Sequence, residues 1–242
     1  METTPKILRN FNRCLAPITL ALTALVSLGA PGNAAPAPPQ GVPAAPAPAP
    51  SQSDGTVGFK SFRYAGADQA ATADKPQSKL WWNDGSWWAE MWTTGSGWHI
   101  YRLDRAKEKW LDTGALIDSR TNTLGDTLWD GTHLFVASHV VTLDTQTTTP
   151  RPLPNQPAQL YRYSYANGQY TLDAGFPVVI AANSSESLTI DQDSTGRLWA
   201  TWTEISGSAV AGLSYTVYIN HSEAGGTGWA KPSVLPAGNP HP

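Results

Sequence analysis

Asp191-x-Asp193-x-x-Gly196 is the one pattern in this chain that hints at metal chemistry, because carboxylates at alternate positions before a sharp turn are how calcium loops begin. A loop begun at Asp191 needs a bidentate glutamate at its twelfth position, and Trp202 stands there. A turn flanked by Asp191 and Asp193 already explains both residues, through side-chain bonds to nearby backbone N–H groups. His133 and His139 fall on one face of one strand by alternation, but at ~3.3 Å per residue they lie about 20 Å apart and cannot share an ion. His99 and His221 sit among aromatic strand residues and read as structural. Glycoside hydrolysis needs two carboxylates on opposite sides of a bond, and no pair of acids here stands apart from ordinary turn acids. No catalytic, cofactor-binding or metal-ligating residue is therefore assigned, and no cofactor is expected. What remains is the chemistry of 11 tryptophans. Exposed indoles stack on sugar rings, whereas buried ones pack sheets together, and packing is the reading preferred here.

The elements that position these side chains follow from composition. Glycine (21) and proline (20) are frequent and only 14% of residues are charged. Turn formers combined with bulky aromatics specify many short strands rather than long helices. The only cysteine is Cys14, ahead of the apolar run described next and badly placed for a lipoprotein cysteine, so neither a disulfide nor thiolate chemistry is expected in the mature chain.

The first residues read as an address. Lys6, Arg9 and Arg13 precede a largely apolar run from Leu15 to Ala30, and Gly32-Asn33-Ala34-Ala35 supplies small residues for cleavage. This is the layout of a secretory signal peptide, expected over residues 1–34, which places the protein outside the cytoplasm, in the periplasm or the extracellular medium. Residues 35–54 alternate proline with alanine, which supports neither helix nor sheet and makes a semi-extended linker of bacterial type. Removing the signal peptide takes three of 16 basic residues and one of 19 acidic ones, leaving a net charge of −5. That balance has no basic cluster, which excludes nucleic acid as a partner, and no later stretch is apolar enough to span a bilayer. The sequons at Asn183 and Asn220 are accordingly expected to be unused.

Residues 55–242 form the expected folded domain, and its signal is a repeat. Leu80-Trp81-Trp82-Asn83-Asp84-Gly85-Ser86-Trp87-Trp88-Ala89 carries Asp-Gly, the preferred pair for a two-residue type I′ turn. That register sets Trp82 opposite Trp87 and Trp81 opposite Trp88, so both faces of the hairpin are aromatic and the sheet is expected to be covered on both sides. Similar hairpins recur at Leu128–Val136, around Asp130-Gly131, and at Leu188–Ala200, around Gly196. Each is followed by a second strand pair with aromatics at matched positions: Tyr101 and Trp110, Tyr161 and Tyr170, Tyr218 and Trp229. Three four-stranded units result, over about 79–118, 119–180 and 186–235.

Four-stranded units in series are the blades of a β-propeller. The hairpins resemble the Asp-box repeats of sialidase-like propellers, Ser-x-Asp-x-Gly-x-Thr-Trp. Gly85-Ser86-Trp87-Trp88 and Gly196-Arg197-Leu198-Trp199 keep the Gly-x-x-Trp half, while Asp84 and Asp193 stand one and three residues before their glycines instead of two. The resemblance implies an all-β propeller-like array. It also brings in a sialidase-like glycoside hydrolase as one alternative, which needs an arginine cluster, a Tyr–Glu pair and an acidic aspartate. Phe62-Arg63-Tyr64 lies where that family carries Phe-Arg-Ile/Leu-Pro, without the last two residues.

Three blades fall short of the four to eight that close a ring. Thr56–Tyr64 offers one extra strand. The ring is expected to be completed by further blades of a longer gene product, by a second copy in trans as a homodimer, or by a divergent blade within 141–158, and the first is the favoured reading. The function expected is non-catalytic binding of a glycan or a cell-surface protein; the alternatives are the hydrolase and a scaffold without ligand.

Overall fold

The computed structural model describes residues 62–68, 70–72, 75, 77–142, 153–208 and 210–235. The expected signal peptide and linker, residues 56–61 of the extra strand and residues 143–152 of the 141–158 stretch lie outside these residues. Every regular element among the described residues is a strand. The first sheet comprises β1 (Leu80–Asn83), β2 (Ser86–Thr93), β3 (Gly97–Asp104) and β4 (Lys109–Asp118). The second comprises β5 (Thr123–Trp129), β6 (His133–Val140), β7 (Ala158–Ala166), β8 (Gln169–Leu172) and β9 (Val178–Ala181). The third comprises β10 (Ser187–Gln192), β11 (Arg197–Ser208), β12 (Gly212–Ala224) and β13 (Ser233–Val234). Each sheet is an antiparallel meander in chain order, with β9 pairing with β7 beside β8, and none closes on itself. Among the described residues no helix is long and apolar enough to cross a membrane.

Turn chemistry sets the register of the first hairpin. Asp84 and Gly85 have φ of 47° and 68°, as a type I′ turn requires. Trp82 then lies opposite Trp87 and Trp81 opposite Trp88. The Trp88 indole N–H closes the hairpin on the Asn83 carbonyl at 2.9 Å.

Two cores hold the sheets face to face. In the first, Trp81, Trp88, Trp98 and Ile100 pack on Leu134, Val136, Tyr163 and Tyr170. Two polar contacts key it: Trp81 donates to the Tyr170 hydroxyl at 2.8 Å, and the Tyr163 hydroxyl donates to the Leu116 carbonyl at 2.7 Å. In the second, Phe135, Ala137 and Leu160 pack on Leu188, Leu198 and Trp202. Here the Arg162 guanidinium crosses to the Gly225 carbonyl at 2.7 Å. The second sheet is thus buried on both faces.

The first sheet departs from the sequence expectation. Trp81, Trp88 and Trp92 are buried, but Trp82 and Trp87 remain 46% and 42% exposed and meet edge to face at 5.3 Å. Alternation placed these rings correctly; the outer face is wet because this sheet stands at one end of the stack. Phe62–Tyr64 adds no strand, and Phe62 instead stacks on Tyr101 at 5.3 Å. Trp229 packs against the second core just ahead of the short β13.

This burial predicts an asymmetry between adjacent residues. Trp88→Ala is expected to cost about 3–5 kcal/mol, and Trp87→Ala less than about 1 kcal/mol, read from urea denaturation of the two variants. Equal losses would contradict the one-sided burial.

Candidate functional site

Three groups with perturbed titration, Glu90, Asp126 and His139, converge where the first strands of the sheets meet. The segment ahead of β1 supplies Lys75, Gln77, Ser78 and Lys79. Asp126 of β5 accepts the Ser78 N–H at 2.6 Å on one carboxylate oxygen and the Ile190 N–H of β10 at 2.8 Å on the other. Thr127 donates its N–H to the Ser78 carbonyl at 3.0 Å. The Gln77 amide nitrogen donates to the Leu188 carbonyl at 2.9 Å and lies 3.0 Å from His139 Nε2. An amide nitrogen only donates, so His139 Nε2 accepts and the ring proton sits on Nδ1, which donates to Ser185 Oγ at 2.8 Å. Lys75 pairs with Glu186. Lys79 pairs with Glu90 at 3.1 Å and also donates to the Gly125 carbonyl. A Cβ at position 125 would meet the Glu90 carboxylate, so a larger residue there has to displace it.

Burial governs the electrostatics of this seam. It pushes the Glu90 carboxyl above the usual carboxylate range in spite of Lys79, and raises Asp126 in spite of its two amide donors. Burial, reinforced by the positive charge of Lys79, pulls His139 down to about 3, so the ring is neutral. Perturbed acids and a neutral histidine are what active sites hold, but these are enclosed. The Glu90 side chain has no exposed surface, and its Oε1, like Gln77 Oε1, lies buried without a hydrogen-bond partner. The seam joins sheets, and only its outward side, at Lys75, Gln77, Ser78 and Lys79, borders a cavity.

The accessible site lies on the outer face of the first sheet. A cavity of about 560 Å³ is lined by Leu80, Ala89, Met91 and Trp110 and runs into the seam at Ser78 and Glu90. A smaller cavity of about 200 Å³ adjoins it at Phe62, Tyr64 and Met91. Strand pairing puts Trp82 and Trp87 on the same face as Leu80 and Ala89. The surface offers aromatic rings and apolar walls, which suits binding.

The residues singled out from the sequence are spread across the sheets. Asp193 is a turn acid: it accepts from Thr195 N–H at 2.8 Å, Thr195 Oγ at 2.6 Å, and Trp199 Nε1 at 2.8 Å. The Thr195 hydroxyl and the Trp199 indole hold its carboxyl far below the usual range. His139 is buried in the seam, whereas His133 is partly exposed. His99 lies 3.0 Å from Asp112, and His221 packs on Trp199 at 4.9 Å. Arg120 grips Asp118 through Nε and Nη2 and the Pro157 carbonyl through Nη1. Arg162 grips Asp173 and the Gly225 carbonyl. Both guanidinium groups are thus occupied within the fold. Asn220 is buried and donates to the Ala230 carbonyl at 2.8 Å. Sequence reasoning missed Asp126 and Gln77; the available signal was a charged residue amid the apolar alternation of Leu124, Asp126 and Leu128.

Asp126→Ala orphans the buried Ile190 N–H and frees the part-buried Ser78 N–H, and is expected to cost about 2 kcal/mol in denaturant unfolding. His139 favours folding fully above pH 6.5, and that contribution is lost as pH falls toward about 3, roughly 5 kcal/mol in all. Glu90, with its raised pKa, works the other way. His139→Gln is therefore expected to lose less stability than the wild type between pH 7 and pH 4.5, measured as urea midpoints. No protein-family model, curated protein or solved structure matches this chain.

Proposed function

We propose that this is an exported, non-catalytic binding protein built as a propeller-type stack, and that it binds a protein partner through the outer face of its first sheet. Meandering four- and five-stranded sheets packed face to face, with their first strands meeting at one seam, support the propeller reading. The sequence at residues 1–34 supports export. The observation that carries the binding function is Trp87. It is 42% exposed, whereas Leu134 and Leu198, which begin the same consecutive pair in the second strands of the other two hairpins, are fully buried under a neighbouring sheet. A face built like two buried ones, and paired indoles in water, is a recognition surface.

A glycan is the second reading, favoured by the cavity at Met91 and Trp110 beside the exposed Trp82–Trp87 pair. The hydrolase reading draws least support, since Arg120, Arg162 and Glu90 are committed to internal contacts.

A glycan array and a fluorogenic glycoside panel test these readings. No turnover is expected; turnover abolished by one acid or arginine substitution would overturn the non-catalytic assignment. Glycan binding that falls at least about tenfold in a Trp82→Ala/Trp87→Ala variant of wild-type stability would select the glycan over the protein partner.

A further inference from the structure

The two ends of the stack are complementary. In each hairpin the second strand carries a consecutive pair whose members face opposite ways: Trp87-Trp88, Leu134-Phe135 and Leu198-Trp199. The second member of each pair faces the next sheet along the chain: Trp88 is 1% exposed, Phe135 is 0%, and Trp199, with no following sheet among the described residues, is 37%. The first member faces the preceding sheet: Leu134 and Leu198 are 0% exposed, and Trp87 is 42%. The third sheet thus presents outward the kind of face that the first two sheets bury forward, and the first sheet presents the kind that the other two bury backward.

We propose that two copies of this chain associate through both ends, the outer face of the third sheet in each copy seating on the outer face of the first sheet in the other. This rests on the reading of the first sheet's outer face as a binding surface, and names its partner. The shapes fit. The first sheet projects Trp82 and Trp87, with Leu80 51% exposed beside them. The third sheet holds a cavity of about 280 Å³ lined by Thr189, Trp199, Thr201 and Ile219, with the Asp191 carboxylate beside the Trp199 ring. The contact continues the established stacking, forward face on backward face, instead of introducing a new kind of interface. Two copies supply six sheets, within the four to eight that close a propeller, and both end faces are covered at once around a two-fold axis.

Sedimentation velocity on the full chain tests this. The wild type is expected at twice the chain mass at micromolar concentration. Trp87→Lys and Trp199→Lys, both at exposed positions, are each expected to weaken association at least about 30-fold. An equal mixture of the two variants should regain a heterodimer, because one of its two contacts is then wild type on both sides. Trp82→Lys and Thr201→Lys serve as a second pair if a first variant fails to fold. A wild type that stays monomeric to about 100 µM overturns the proposal, as does a Trp199→Lys variant that dimerises normally. A monomer whose Trp82→Ala/Trp87→Ala variant loses a measured ligand would overturn self-association alone and leave the binding face standing.

Discussion

The Asp126 carboxylate meets the constraint on which the three sheets depend. Where their first strands converge, backbone amides leave water and must find partners, and each one left unpaired costs about 1–3 kcal/mol. One carboxylate accepts from two directions, so a single side chain satisfies Ser78 ahead of the first sheet and Ile190 in the third. Asparagine would turn an N–H toward one of these donors, and a hydroxyl has only one oxygen. Gln77 makes the same bridge with its amide hydrogens, to Leu188 and to His139. The polar seam is costly in desolvation, as the raised Glu90 and the depressed His139 show. In exchange it fixes which strand edges meet, which a purely apolar seam would leave to slip.

Away from the seam the stack is held by rings, and its specificity comes from a few polar keys. Trp81 to Tyr170 and Tyr163 to Leu116 lock the first interface, and Arg162 to Gly225 locks the second. The same rule of succession works at each step: one face of every hairpin receives the sheet before it and the other receives the sheet after it. A structure assembled by such a rule has no internal reason to stop, because each terminal unit still carries the face that would take another neighbour.

Much of this was legible in the residues. Asp84-Gly85 dictates its turn, and period-two alternation then sorts Trp81, Trp88 and Trp92 from Trp82 and Trp87. The recurrence of tyrosine and tryptophan in the second strand pairs marks a repeat along the chain. Burial was less legible: alternation tells which residues share a face, but not whether another layer covers it, and that is where Trp82 and Trp87 departed from expectation. The seam was illegible for a different reason. Gln77 and Leu188 are 111 positions apart, and Ser78 and Asp126 are 48 apart, so no local pattern ties them. Asp126, read alone, is one acid among 19 carboxylate residues.

Those separations bear on the order in which the molecule assembles. The first sheet pairs only with near neighbours along the chain, so it has what it needs soon after leaving the ribosome. The segment that anchors it does not. Lys75 and Gln77 reach partners at Glu186 and Leu188, across 111 positions of intervening chain. Closing so long a loop carries an entropic cost that is met only once the third sheet exists. The latch is therefore set last, after the third sheet has formed, and until then the segment ahead of β1 stays loosely joined to the rest.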